Sequence, residues 1–433
     1  NNNTTESATS TILPVTINVQ EQYSDYNLFS VAPFHHYITF AKREVELTPL
    51  PTFLKWILNL LLFIMQIFLQ LFHFDKVLTV NNWMLTTNLY TGLSSSTIEA
   101  ITRFFQLKYP DHAIMFRSVN NSILKDLHAR FERSGLYKMI PSRIIYWSNP
   151  LNDSVKNGWR MCAMKEDRRL LVKHTSGLEQ VYKQELDYLY KRGGEYLDSN
   201  KKKYKFLDNA MLKQYCESEQ KLMKEKDVLF ANYPISTSNP VITRIVHLYN
   251  LLYLEKYSYC NVAFNDKFMI NALYTGVINF RALLNVEANQ IDAVLGFFQY
   301  EYTRYSDIND EPVQDCDAPI EKGEDPSTQW LKQGKFRVMT VPLLGYDTSE
   351  DVHKSKLYRM ISAFMPLEGR KNKYIVNQSS GAADFKMFRG CTKSFEYSAV
   401  CCDHLGLVRR APWVIMDKLL NFLIAQMASR FTF

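Results

Sequence analysis

The sequence contains no CxxC pair, and its seven cysteines are an odd number scattered along 433 residues. No zinc ribbon or disulfide framework follows from that spacing, so buried, reduced thiols in a reducing intracellular compartment are expected, cytoplasmic or mitochondrial. Histidine supplies no metal site either: His35 and His36 are adjacent, the rest are isolated, and no metal is expected. Basic charge is not concentrated. The 51 Lys+Arg against 44 Asp+Glu leave a net +7 spread along the chain, and the densest run, Lys201 to Lys203, reads as a solvated turn. A protein that grips a nucleic-acid backbone would gather its cations in one stripe. The opening NNNTTESATST lacks an apolar signal core and is poor in arginine, which points to a processed terminus. About the first twenty residues are expected to be disordered or wrapped on a partner.

What is present is apolar. Aliphatic and aromatic residues make up 46% of the chain and aromatics 14%, which excludes wholesale disorder. The length favours two domains with embellishments. Residues 53–74, FLKWILNLLLFIMQIFLQLFHF, carry no charge between Lys55 and Asp75 and are long enough to cross a bilayer. On a helical wheel Lys55, Asn59, Gln66, Gln70 and His73 fall within about 60° of one another. Two readings follow for this stripe on an apolar cylinder: a membrane-associated helix, lying or spanning, or a central helix buried by the rest of the protein.

After Lys76 the pattern becomes alternating strand and helix. KVLTVNNWML, HAIMFRSVN and KMIPSRIIYWSNP are strand-like; SSTIEAITRFFQLKY and NSILKDLHARFERSG have helical spacing. Residues 176–228 are charged and helical, with a turn at Gly193 and Gly194, and read as an inserted hairpin of helices. A second α/β half begins near Val241, and residues 306–335 read as a polar hairpin loop. The resulting division is an extension over 1–50, the apolar helix at 51–75, an N-terminal half at 76–175, a helical insertion at 176–240, a C-terminal half at 241–410 and a final helix at 411–433.

The words LYNLLYLEKYS, PLLGYDTS, LYRMISAFM, SSGAADFKMFRG and EYSAVCCDHL resemble those of uncharacterised GNAT-superfamily proteins, and the spacing GxxxFKxxxG is similar to that of Fem-type aminoacyltransferases. The resemblance spans most of residues 76–410. It implies an α/β (α+β, GNAT-like) fold of two GNAT-like units around mixed, mostly antiparallel sheets. It also implies acyl or aminoacyl transfer to an amine acceptor, with acyl-CoA as the donor or aminoacyl-tRNA in its place.

On that resemblance Gly345, Tyr346, Asp347, Thr348 and Ser349 stand where a donor phosphate would be held, with Thr348 or Ser349 capping the next helix. Ser379, Ser380 and Gly381 would form the mouth of a second anion site whose cations are Lys386 and Arg389. Asp347 is the candidate base, with Glu396 and Asp384 behind it, and Tyr397 is the candidate acid. Phe297, Phe298, Tyr300 and Tyr302 offer an aromatic wall. The superfamily's Arg/Gln-x-x-Gly-x-Gly/Ala loop is missing, and Asp347 has the wrong sign beside a phosphate. That departure keeps a second reading open, a catalytically silent GNAT-fold subunit or scaffold in a larger membrane-associated assembly.

Overall fold

The computed structural model describes residues 12–18, 28–150, 158–190, 202–223, 229–257, 259–307, 309–313, 333–349 and 356–430. They form a mixed α/β structure with eleven strands. These are β1 Val15–Ile17, β2 Val77–Val80, β3 Ala113–Asn120, β4 Lys138–Ser148, β5 Thr175–Ser176, β6 Tyr204–Leu207, β7 Asn279–Asn285, β8 Gln290–Thr303, β9 Lys335–Tyr346, β10 Tyr374–Asn377 and β11 Thr392–Cys401. All eleven join in one sheet, in the order β1-β2-β3-β11-β4-β10-β9-β8-β7-β6-β5.

Alternating side chains explain why both faces are covered. Ala282 and Val294 enter one core while Leu283 and Leu295, their sequence neighbours, enter another. The first core is closed by α7 Asn209–Leu222, α8 Pro240–Asn250 and α9 Asp266–Thr275. The second is closed by α5 Gly158–His174, α6 Glu179–Tyr190, α10 Leu357–Ser362 and α11 Phe364–Asn372. In the other half, Ala399 packs with α3 Ser95–Lys108 and α4 Lys125–Arg133, while Val400 packs with α2 Thr52–Leu71 and α13 Leu407–Arg430. Local signals set the helix starts. Ser94, Asp208, Asn239 and Asn265 each accept a backbone N–H of the first turn, and Pro240 follows the Asn239 cap.

Strand β11 leaves the C-terminal half and lies between β3 and β4, antiparallel to both. The short β10 is parallel to β9 on one side and antiparallel to β4 on the other. Each half therefore contains a parallel strand–helix–strand unit, β3-α4-β4 and β9-α10-α11-β10, and the two units belong to one sheet instead of two.

Two expectations change. Val15–Ile17, within the stretch expected to be disordered, pairs with β2. Within 176–228, α6 and α7 are present, but Tyr204–Leu207 between them forms β6 against β7, because Tyr204, Phe206 and Leu207 bury in the sheet. The turn at Gly193 and Gly194 lies outside the described residues. Most of the 306–335 connection does too; its described start folds back, Asp310 accepting the amides of Ser95 at 2.6 Å and Ser96 at 2.8 Å at the start of α3.

The apolar helix α2 is not a central core helix: only 6% of its most apolar window is buried. Of its polar stripe, Lys55 and Gln66 face α1 Phe40–Leu47, while Asn59 and His73 are exposed. Lys42 Nζ donates to Gln66 Oε1 at 2.5 Å, and Lys55 Nζ donates to the Glu46 carbonyl at 2.8 Å.

Gly345, near the end of β9, lets the α8 backbone approach: a Cβ there would lie 2.7 Å from the Leu248 carbonyl carbon and 2.8 Å from the Tyr249 nitrogen. Backbone cannot swing aside as a side chain can. Gly345→Ala is therefore expected to lower stability by about 1–3 kcal/mol in urea unfolding, with the slope of the transition unchanged.

Candidate functional site

Beyond Asn377, where β10 ends, no described strand separates β4 from β9, so the sheet opens between Val341–Tyr346 and the first part of β4. At the same level β9 carries a bulge. Gly296 faces Leu343 while Phe298 faces Thr340, so Val341 and Pro342 together oppose Phe297. The extra residue bends β9 at the point where its parallel partner stops.

A row of charges borders this opening on the β4 side. The Arg143 Nε of β4 donates to Glu396 Oε2 of β11 at 2.5 Å, and its Nη2 donates to the Thr86 carbonyl at 2.5 Å and Thr87 Oγ1 at 2.7 Å. Glu396 is 1% exposed, and its other oxygen, Oε1, has no hydrogen-bond partner. Arg117 of β3 is buried beside them, donating to Asn82 Oδ1 at 3.1 Å with its guanidinium over the Phe29 ring. Burial first, then the Arg143 charge, pulls its pKa down to about 10. Tyr300 of β8 reaches the same region: burial, reinforced by Glu396, raises its phenol well above the usual value and keeps it neutral. His36 is held neutral too, its pKa lowered to about 3 by burial, then Arg143, then Arg117, while its Nε2–H donates to the Ser142 carbonyl at 3.1 Å.

Lys386 comes to this row from the other side. It lies on α12 Ala383–Met387, 6% exposed, over the Tyr146 ring. Its ammonium donates to the carbonyls of Gln378 at 2.6 Å, Ser379 at 3.2 Å and Ser380 at 2.6 Å. The segment can present three carbonyls because Ser379, Gly381 and Ala382 are left-handed, with φ of 60°, 76° and 48°. Burial, the largest influence, lowers the Lys386 pKa to about 7; Cys391 acts in the opposite sense and Arg143 adds to the lowering.

The mouth at Ser379, Ser380 and Gly381 is therefore the reverse of the one expected. It turns carbonyl oxygens inward, which suits a cation, and Lys386 already occupies it. Arg389 does not share that position: its guanidinium pairs with Asp167, whose second oxygen takes Arg359 Nε at 2.5 Å, and it stacks on Phe385. Asp167, Phe385 and Arg389 line a hollow of about 30 Å³, room for a single water, in which the buried Ser362 hydroxyl also lacks a partner.

The β9 loop lies elsewhere again. Asp347 is ion-paired with Arg244 of α8 and accepts the Ser349 amide at 2.9 Å. Burial would raise its pKa, but the Ser349 and Arg244 hydrogen bonds outweigh that and hold it below the usual carboxylate value, which makes it a weak base. Arg244 also lines an open cavity of about 440 Å³ with Tyr215, Glu219, His247 and Asn289. Neither Thr348 nor Ser349 caps α10, whose first flanking residue is the left-handed Lys356, uncapped by any side chain. Tyr346 packs on Tyr358. Tyr397 lies against the His128 ring of α4 with its phenol raised by burial, away from the Asp347 cluster; Asp384 is exposed. Phe297, Phe298 and Tyr302 are core.

Arg143 and Arg117 went unnoticed in the sequence, although a signal exists. In IIYW's strand, in AIMFRSVN and in SFEYSAV, one lone charge interrupts an apolar run, and these three charges meet in neighbouring strands.

No family model and no curated protein matches the chain. Among solved structures it is similar to a conserved protein of unknown function from Bacteroides thetaiotaomicron, at 10% identity over 75% of this chain and 80% of that one, TM-score 0.37. It is also similar to L-PGS from Bacillus licheniformis, at 10% identity over 75% and 78%, TM-score 0.36. A third likeness is to the C-terminal domain of a putative lysylphosphatidylglycerol synthetase from Agrobacterium fabrum, at 9% identity over 75% and 78%, TM-score 0.38. These likenesses are distant.

Two buried bases give the site a pH signature. The folded chain releases the Lys386 proton near pH 7 and the unfolded chain near 10.5, so stability contributed here rises with pH across that window. His36 binds its proton near 6.5 when unfolded and near 3 when folded, so stability falls as pH drops through that interval. In thermal unfolding, Lys386→Met should lose the wild-type rise above pH 7, and His36→Gln should lose part of the acid-side fall. Unchanged profiles would contradict the burial of these groups.

Proposed function

We propose that this chain is an acyl- or aminoacyl-transferase of GNAT-like architecture that acts on an amine acceptor. The observation that carries the reading is the opening beyond Asn377, set beside the β9 bulge and bordered by a buried carboxylate with one unpartnered oxygen. Amide formation needs an oxyanion donor, a base for the amine and a proton source for the leaving group. The bulge releases a β9 residue from its ladder; Pro342 has no N–H, so the Val341 amide takes the acyl carbonyl oxygen. Glu396 Oε1 accepts one proton from the acceptor ammonium, and the freed amine attacks the carbonyl carbon. A C–N bond forms, and the donor's C–S or C–O bond breaks. The second amine proton passes through the neutral phenol of Tyr300 to the departing thiolate or alkoxide. Arg143 is a positioning residue that fixes the Glu396 carboxylate.

Acyl-CoA and aminoacyl-tRNA are the donor classes to test, because each carries an activated carbonyl and an anionic handle. The 440 Å³ cavity beside Arg244 is a candidate place for that handle.

The purified chain should transfer the acyl group of acetyl-CoA, or the aminoacyl group of charged tRNA, to a primary amine. Glu396→Gln should reduce turnover on the order of a hundredfold or more, with Glu396→Asp retaining part of it. Circular dichroism establishes that each variant is folded. Equal rates in wild type and folded variants exclude Glu396 as the base. Absence of donor binding in the wild type favours the silent-subunit reading.

A further inference from the structure

The helix α2 packs Leu62, Met65, Phe68 and Leu69 into the core and leaves a second apolar side facing outward. A helix on the surface of a soluble domain faces its apolar stripe to the core and its polar stripe to water. Here Lys55 and Gln66 face α1 and are hydrogen-bonded there, while the outer side is left apolar. Phe53, Trp56, Leu60, Ile64, Ile67 and Leu71 are all exposed, at sequence intervals of three or four that place them on one side, with Phe53, Trp56 and Leu71 at 67% or more. The helix α13 shares a core cluster with α2. Trp413 of α13 packs on Phe74 just after α2, with ring centroids 4.1 Å apart, and Ile415, Leu419, Phe422 and Leu423 form a second exposed stripe at helical spacing.

We infer that α2 and α13 together form a face that lies in the plane of a lipid bilayer, with α2 buried to about the depth of its outer side chains and not passing through.

The occupant is a bilayer because the outer face of α2 carries no ionisable side chain and its one exposed amide, Asn59, lies at the edge of that face, so a protein partner finds almost nothing polar to fix its register. The face also runs the length of a 20-residue helix. The orientation follows from connectivity. Strand β1 precedes α2 and β2 follows it, and the two are antiparallel neighbours with Val15 opposite Val80. A helix that carried the chain across would leave these paired strands on opposite sides of the membrane. Among the described residues no second leg between β1 and α2 brings the chain back, since α1 holds Lys42, Arg43, Glu44 and Glu46 within its eight residues. Charge plays a small part: Lys55 is the one ionisable residue of α2 and is engaged with α1, so insertion is driven by apolar area.

The test uses the full chain and phosphatidylcholine vesicles. Wild type should float with them and remain bound in about 0.5 M salt, where attraction between exposed charges is screened. The Leu60→Glu, Ile64→Glu double variant, altered at exposed positions, should lose at least tenfold in partitioning while keeping its circular dichroism spectrum. A wild type that stays in solution, or that forms a dimer through this face and ignores vesicles, overturns the inference. For orientation, a fluorophore is placed at an introduced cysteine replacing Ile57, Ile64 or Leu71 in turn and read against quenchers at known depths. Equal, shallow depths are expected. A graded depth from Ile57 to Leu71 means a helix inserted on end and rejects the in-plane arrangement.

Discussion

The insertion of β11 between β3 and β4 is the constraint on which the rest of the structure depends. β11 is antiparallel to both neighbours, pairing from Thr392 to Val400 with β4 and from Glu396 to Cys401 with β3. A strand that hydrogen-bonds on both edges cannot slip, because a one-residue shift would exchange Ala399 and Val400 between the two cores they fill. The two halves are thereby welded through backbone hydrogen bonds, and the chain that emerges from the C-terminal half is committed to the N-terminal one.

The same insertion brings the charges together. Arg117, Glu396 and Arg143 sit on three consecutive strands, β3, β11 and β4, so the carboxylate arrives between two guanidinium groups donated by the other half. Burying such a set is costly unless each charge is paired, and Arg143 is satisfied on Glu396 and the 86–87 backbone and hydroxyl. The oxygen left over on Glu396 marks the place where the structure has chemistry to spare. Lys386 completes the border, and its placement depends on a left-handed turn that a loop-level reading takes for an anion site.

Much of the architecture is legible in the sequence. The strands HAIMFRSVN, KMIPSRIIYW and SFEYSAVCC and the helices from Ser95 and Val241 are found where their periodicity places them. Alternation and helical spacing report which side of an element is buried. They do not report which element buries it, and for that reason β6 and the shared sheet were missed. At the site, Lys386 was identified as an important cation, but its partners are carbonyls and not a phosphate. Asp347 looked like a base, and Arg244, 103 residues away in sequence, turns it into half of an ion pair.

The sequence by itself determined the α/β rhythm, the apolar helix and its polar stripe, since these are properties of neighbouring residues under fixed backbone periods. Only the tertiary structure decided that β11 crosses between halves and that Lys55 and Gln66 of α2 face protein. It also decided that three lone strand charges meet around Glu396. The strand crossing and the charge cluster depend on pairing between residues hundreds of positions apart, and the stripe on the docking of two neighbouring helices. Local pattern carries no information about such pairing until the sheet fixes its order.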